Sequence, residues 1–220
     1  MSENHYVIFM ASSTVFSGVK VTWYGHASVL LEADGLIITL DPFVLPRGAK
    51  PSDIILYTHG HFDHCVAAPL ITKGSTIAIA HRSCKLPVRL IDVGAKEKIG
   101  SVIIEAVDAY NPNKNFHPRG SGAGYIIRFK SASVYIAGDT DNIPEMKNYK
   151  CDMAIVPIGG TYTMNEEEAA EAITAIMPKV AIPYHYNYLE GTHADAEKFK
   201  SLVEQKTEGK VDVRILEPQK

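Results

Sequence analysis

Short apolar runs separated by glycine, proline and aspartate set the rhythm of this chain. In the first half, residues 19–24, 28–32 and 36–40 are β-rich runs, and Asp34-Gly35 between the last two is a hairpin signal. Residues 54–57 are wholly apolar, the pattern of a strand buried on both faces. A helix is expected near residues 65–72, then strands at 76–80, 88–93 and 101–107. Residues 110–124 break the rhythm. They are polar, rich in Asn, Pro and Gly, without periodicity, and read as a functional loop between strands. Strands resume at 125–129, 133–137 and 153–157. Thr163-x-x-Glu166 is a capping-box pattern, and Glu166, Glu167 and Glu168 place acids where the helix dipole favours them. Ala169, Ala170, Ile173, Ile176 and Met177 form an apolar stripe that Pro178 ends. A strand at 180–184, a surface helix at 193–205 and a closing strand at 211–216 follow. The chain thus reads as two similar halves, each opening with strands and then alternating strands with helices. Residues 1–18 read as a leader or an extra edge strand, and 19–220 as a single domain.

Composition narrows the function. At 46% hydrophobic and 21% charged residues over 220 positions, the chain is globular rather than disordered, collagen-like or coiled coil. Lys+Arg is 22 and Asp+Glu is 25, and a net charge of −3 supplies no strong phosphate-neutralising field. A nucleic-acid partner is therefore not expected, and a small-molecule substrate is. The cysteines are Cys65, Cys84 and Cys151. An odd number without C-x-x-C argues against a disulfide framework and for a reducing, cytoplasmic setting, with Cys65 as buried packing. No apolar run approaches the roughly 18–20 residues of a membrane span. No Lys or Arg precedes the apolar stretch 6–11, so a signal peptide is not expected.

The chemistry is concentrated in histidines. His59, His61, Asp63 and His64 form H-x-H-x-D-H directly after the apolar run 54–57. In an extended segment, residues two apart point the same way, so His59 and His61 can grip one metal together. Asp63 and His64 can turn towards a second ion. Imidazole and carboxylate donors suit Zn²⁺, Mn²⁺ or Fe²⁺. Asp139 ends the apolar run Val134-Tyr135-Ile136-Ala137, after Gly138, and His185 ends the run 180–184. Strand-terminal groups of this kind can gather at one rim of a sheet and complete a two-metal set, with Asp139 placed to bridge.

These residues, with Ala137-Gly138-Asp139-Thr140 and Ile182-Pro183-Tyr184-His185-Tyr186, resemble the metallo-β-lactamase fold superfamily over roughly residues 19–216. Trp23-Tyr24-Gly25-His26-Ala27-Ser28, Asp41-Pro42-Phe43 and the segment from Pro157 to Met164 are similar to small metal-dependent hydrolases related to L-ascorbate-6-phosphate lactonase. The resemblance implies an α/β fold, a four-layer αββα sandwich with the site at one edge between the sheets. It implies that His59 and His61 bind one ion, Asp63, His64 and His185 a second, and that Asp139 bridges. Many relatives supply a third histidine to the first ion where this chain reads Val107-Asp108-Ala109-Tyr110-Asn111. His117 is the candidate here, with Asp108 in reserve.

Two divalent ions are the implied cofactors, zinc ahead of manganese. The implied activity is hydrolysis of an ester, lactone or phosphodiester bond by a metal-bridging hydroxide. The alternatives are an iron-dependent oxidoreductase of the same fold or an inactive metal-binding protein. Asp63, His26 and Tyr186 are the candidate catalytic groups, the last two as leaving-group contacts. Asp41 is placed to orient a ligand histidine. Thr161, Tyr186 and Asn187 flank the site, and Lys50, Lys114 and Arg119 are candidates to hold an anionic substrate group. His81 and His193 read as surface helix starts, and His5 as part of the leader.

Overall fold

The computed structural model describes residues 12–219. The first sheet runs in chain order as β1 (Ser13–Phe16), β2 (Val19–Gly25), β3 (Ser28–Ala33), β4 (Leu36–Leu40), β5 (Ser52–Tyr57), β6 (Thr72–His81) and β7 (Arg89–Ile91). The second contains β8 (Lys96–Ile99), β9 (Val102–Asp108), β10 (Ala123–Arg128), β11 (Ser133–Ile136), β12 (Met153–Pro157), β13 (Val180–Tyr184) and β14 (Asp212–Val213), again in sequence order across the sheet. In each sheet the first four strands are antiparallel and the remaining connections parallel. Within the stretch 1–18, Ser13–Phe16 forms the edge strand β1, while residues 1–11, with His5, lie outside the described residues.

Strand periodicity explains the packing. Val19, Val21 and Trp23 of β2, Val29 and Leu31 of β3, and Ile54 and Leu56 of β5 alternate into one core shared with the second sheet. Ile55 and Tyr57, one residue out of phase, face a smaller cluster with Ile71, Ala80 and Cys84. The second sheet is buried on both faces, because α1 (Glu166–Ile176) and α2 (Ala196–Thr207) cover its outer side. The outer side of the first sheet carries loops and the 3-10 turn Pro69–Ile71 rather than α-helices. No helix among the described residues is long and apolar enough to cross a membrane.

Several expectations are corrected. The helix at 65–72 does not form. Pro69 disfavours the α region for Ala68, which sits at φ −119°, ψ 63°, and Thr72 already opens β6. The capping box lies two residues later than read. Asn165 accepts from the Glu168 N–H while the Glu168 carboxylate accepts from the Asn165 N–H, and Asn caps as well as Thr. β8 was missed because its Lys-Glu-Lys-Ile stretch carries the charges of an edge strand rather than apolar alternation. Cys65 and Cys84 are joined as a disulfide, with Cα atoms 5.7 Å apart, inside the range such a bridge requires. His81 is buried at the end of β6, its Nδ1 2.9 Å from Ser83 Oγ, and starts no helix.

Candidate metal centre

The site lies beyond the carboxyl ends of β4, β5, β11 and β13, where parallel strands stop and their chains diverge. Leaving β5, the chain runs through His59, His61, Asp63 and His64. Its amide and carbonyl groups are held by a bridge of His59 to Gly122 and by the Ala123 N–H donating to Thr58 O at 2.9 Å. Gly60 is required there, because a Cβ would stand 2.3 Å from Ser83 O. Gly138, at φ 65°, turns the chain after β11 so that Asp139 faces the same rim. His26, Asp41 and His185 each adopt left-handed backbone angles, φ 48°, 41° and 56°. Non-glycine residues hold such angles only where surrounding structure over-determines them, as at functional sites.

The side chains converge in three overlapping sets. Donor atoms of His59, His61 and His117 form one, those of His26, Asp63, His64 and His185 a second, and those of His59, His64 and Asp139 a third, each within 4.8 Å of one another. Within the first, His61 Nδ1 lies 2.9 Å from His59 Nε2 and 3.1 Å from His117 Nε2. Asp139 spans the sets: Oδ1 is 3.1 Å from His185 Nε2 and 3.4 Å from His64 Nε2, and Oδ2 is 3.3 Å from His117 Nε2. Every residue read as a metal donor is therefore in the cluster. Asp108 is not; it pairs with Arg119 at 3.4 Å.

The surrounding hydrogen bonds decide which nitrogens point inward. Asp41, 1% exposed, accepts from the Thr58 N–H at 2.8 Å, from Thr58 Oγ at 2.6 Å and from His64 Nδ1 at 2.8 Å. Because Thr58 gives its hydroxyl proton to Asp41, its oxygen accepts from His59 Nδ1 at 3.0 Å. Asn111 Oδ1 accepts from His117 Nδ1 at 2.7 Å. The Nδ1 atoms of His59, His64 and His117 are thus held outward by their acceptors, so that their Nε2 atoms face the centre, with lone pairs on His59 and His117. Asn111 is a residue that sequence reasoning missed, since its role exists only once the 110–124 loop closes on itself.

This arrangement fits a bound cation. Two Nε2 lone pairs face His61 Nδ1, and one imidazole proton can satisfy only one of them. Asp139 Oδ1 and His185 Nδ1 are buried without a hydrogen-bond partner among the described residues. Burial, then the neighbouring His64, holds His59 well below the usual imidazole range, so it is neutral and able to ligate. Burial pushes Asp139 up, but the His185 and His64 charges outweigh it and hold the carboxyl well below its ordinary range. Burial opposes protonation of His64, yet Asp139 and Asp41 raise it well above the imidazole range.

The remaining candidates divide. His26 Nε2 bonds Asp63 Oδ2 at 2.8 Å, but His26 is fully buried and positions Asp63 rather than meeting a substrate. Tyr186 turns away from the rim and stacks on Trp23 at 5.1 Å, and burial pushes its hydroxyl up to about 12. β13 ends at Tyr184 and the left-handed backbone at His185 redirects the chain, after which the Tyr186 ring packs on Trp23 while His185 faces the donors. Lys50 pairs with Glu32, Lys114 with Asp141 at 2.7 Å, and Arg119 with Glu145 at 2.7 Å. None of the three lines the cavity beside Asp139. Thr161 bonds Gly191 O at 2.6 Å, Asn187 accepts from the Ala194 N–H at 3.1 Å, and His193 is exposed ahead of α2.

Comparison with known proteins finds this chain similar to metal-dependent hydrolases. The family model described as a β-lactamase superfamily domain matches residues 20–185. A UPF0173 metal-dependent hydrolase from Methanoregula boonei is 36% identical over 207 residues, 86% of this chain and 92% of the relative. A crystal structure from Parabacteroides distasonis, described as a metal-dependent hydrolase, superposes with TM-score 0.81 at 32% identity, covering 94% of this chain and 99% of that one. A metallo hydrolase from the hyperthermophilic archaeon Ignicoccus hospitalis superposes with TM-score 0.77 at 29% identity, covering 92% and 96%.

Proposed function

The chain belongs to the β-lactamase superfamily domain family and is a metal-dependent hydrolase, and from that premise we propose that it cleaves an ester, lactone or phosphodiester bond at a dinuclear centre. The observation that carries this reading is the pair of donor sets joined by Asp139. His59, His61 and His117 would hold one ion, and Asp63, His64 and His185 the other, with Asp139 shared. Nitrogen and carboxylate donors of this kind suit zinc first and manganese second. Ions bound there would supply Lewis acidity and hydroxide at neutral pH.

The chain's own groups do the rest. Asp41 and Asn111 orient three of the candidate ligand histidines, holding their Nδ1 atoms outward so that Nε2 faces the centre. Asp63 both belongs to a donor set and lines the cavity. Burial raises its pKa, but the His26 hydrogen bond and the His64 charge outweigh this and keep it below the ordinary carboxylate value. An ionised Asp63, steadied at Oδ2 by His26, can accept a proton from an attacking water.

The test is metal analysis by inductively coupled plasma mass spectrometry on untagged protein. It is paired with turnover of bis-p-nitrophenyl phosphate and a panel of esters and lactones, before and after chelation. About two zinc or manganese ions per chain, with chelator-sensitive hydrolysis restored by re-addition, is the expected result. A single iron, or two bound ions with no hydrolysis of any substrate, refutes the reading.

A further inference from the structure

The cavity beside Asp139 has a volume of about 380 Å³, and apart from the donor residues its wall is Phe62, Phe116, Tyr162, Leu189 and Glu190. Phe62 is 74% exposed and Phe116 45% exposed. They come from separate loops, and Phe116 meets Tyr162 edge-to-face at 4.9 Å. Phe62 in turn stands edge-on to Phe43 at 6.0 Å. Large apolar side chains held open around a cleft are stabilised when a ligand covers them.

The electrostatics point the same way. Recognition of phosphate or carboxylate calls for arginine, lysine or converging backbone N–H groups. No lysine or arginine is among the residues lining this cavity. Lys114 Nζ is spent on Asp141 Oδ1 at 2.7 Å and Thr163 O at 2.5 Å, and Arg119 on Glu145 and Asp108. The charged group at the wall outside the donor sets is the Glu190 carboxylate, which is exposed. A phosphorylated or carboxylated tail seated against this wall, away from the donor sets, would meet this negative charge with no lining lysine or arginine to offset it.

We infer that the cavity takes the uncharged, apolar portion of a carboxylic ester or lactone, seated among Phe62, Phe116, Tyr162 and Leu189, and that Glu190 excludes anionic tails. This rests on the hydrolase reading above and sets the substrate class for it. It also separates the chain from hydrolases of phosphate-bearing lactones. In the reaction, the oxygen of water bonds to the acyl carbon and the acyl–oxygen bond breaks. The alkoxide takes one proton of that water, and the other is released as the acid ionises. The new carboxylate is then repelled by Glu190, which favours product departure.

The experiment uses the zinc-loaded full chain and two δ-lactones, one bearing a phenyl group and one a phosphate monoester in its place. The matching lactams, which resist cleavage, are titrated by calorimetry. The phenyl lactone should show kcat/KM at least about tenfold above the phosphorylated one, as burial of an aromatic ring implies. Glu190→Lys should raise kcat/KM for the phosphorylated lactone at least about fivefold at low salt, since it replaces repulsion by attraction. Phe116→Ala should raise KM for the phenyl lactone with kcat kept, the sign of lost uniform binding. Faster turnover of the phosphorylated lactone by the unaltered chain, with no response to Glu190→Lys, overturns the inference and leaves the hydrolase reading standing. Preferential binding of the phenyl lactam without turnover of either lactone upholds the cavity's selectivity and counts against the hydrolase reading.

Discussion

Asp41→Asn is the substitution that most directly tests how the centre is held together. Asp41 Oδ1 accepts the Thr58 N–H, and Oδ2 accepts both the Thr58 hydroxyl and His64 Nδ1. An asparagine can fill this place in two ways. With its oxygen towards His64, its NH₂ faces the Thr58 N–H, a donor against a donor at a 2.8 Å separation. Leaving that buried donor unmatched costs about 1–3 kcal/mol. With the amide flipped, its NH₂ donates to Thr58 Oγ and to His64 Nδ1. The Thr58 hydroxyl must then donate to His59 Nδ1. Both His59 and His64 are thereby forced into the tautomer that carries a proton on Nε2, the atom facing the centre. The flipped arrangement avoids the donor clash, so it prevails without an ion, and ion binding must first restore the other arrangement at that cost. The expected loss is about 10–100-fold in metal affinity, the range for removing a partner of a ligand histidine. Competition against a chelator of known affinity measures it, with near-ultraviolet circular dichroism confirming the fold. Metal affinity within about twofold of the unaltered chain would refute the tautomer argument.

His117→Ala should lower the bound-metal stoichiometry selectively at the His59–His61 site; unchanged stoichiometry by mass spectrometry would take His117 out of the site and return attention to Asp108. Cys65 and Cys84, separated by 19 positions, should read as oxidised. Thiol titration of the denatured chain should then find Cys151 alone, and a Cys65→Ser, Cys84→Ser double variant should lose about 3 kcal/mol of unfolding free energy by loop-closure entropy, whereas equal urea midpoints would refute this. Asp152 accepts from the Ser133 N–H and hydroxyl at 2.9 Å and from Lys179 at 2.9 Å; burial raises its pKa, but these donors outweigh it and lower it overall. Its folded pKa lies below its unfolded one, so its stabilisation is present at neutral pH and fades as pH falls through the folded value. The urea-midpoint gap between the native chain and Asp152→Asn should close towards acid pH, and a gap that widens there would contradict the assignment. Chelation should lower Tm, since an ion held at 100 times its Kd contributes about 2.7 kcal/mol, or roughly 5–11 °C for a chain of this size; an unchanged Tm with metal removed would mean the donors lie outside the cooperative fold.

Legibility in the sequence followed the punctuation of the chain. β4, β12 and β13 begin and end where their apolar runs do, because Gly35, Asp41, Pro178 and His185 interrupt the pattern cleanly. Most of the candidate donors were legible for the same reason, following strands whose ends the pattern marks; His117 was only a candidate, because it lies in the aperiodic 110–124 loop. The region after His64 was misread: its apolar residues suit a helix, but Pro69 restricts Ala68 locally, and the Cys65–Cys84 bridge acts across the sequence. Asn111 carried no signal at all, since its bond to His117 depends on the path of a loop without periodicity. The left-handed backbone at His26, Asp41 and His185 was equally silent. The side-chain types at those positions do not announce it, and the conformation is imposed by packing at the strand ends. Tyr186 was misplaced by treating nearness in sequence as nearness in space, when the left-handed turn at His185 lets the next ring pack on Trp23 instead.

The two sheets share a strand order, and the centre draws on both of them. His59, His61, Asp63, His64 and the orienting Asp41 come from the first half; His117, Asp139 and His185, with Asn111 behind His117, come from the second. Neither half holds a complete set, since the His59, His61 and His117 group and the His59, His64 and Asp139 group each span both. The backbone joins them at the same place: the Ala123 N–H donates to Thr58 O at 2.9 Å, and the His185 N–H to His26 O at 3.1 Å. The shared apolar core fixes the distance between the sheets, and that distance sets the separations among the donors. A bound ion therefore favours the docked arrangement over any in which the halves part, and its binding free energy adds to the stability of the interface. Substrate choice is left to the rim loops that carry Phe62, Phe116 and Glu190, which can change without disturbing the strands that hold the donors. One scaffold can thus keep its metal chemistry while its cavity wall decides which bond is presented to it.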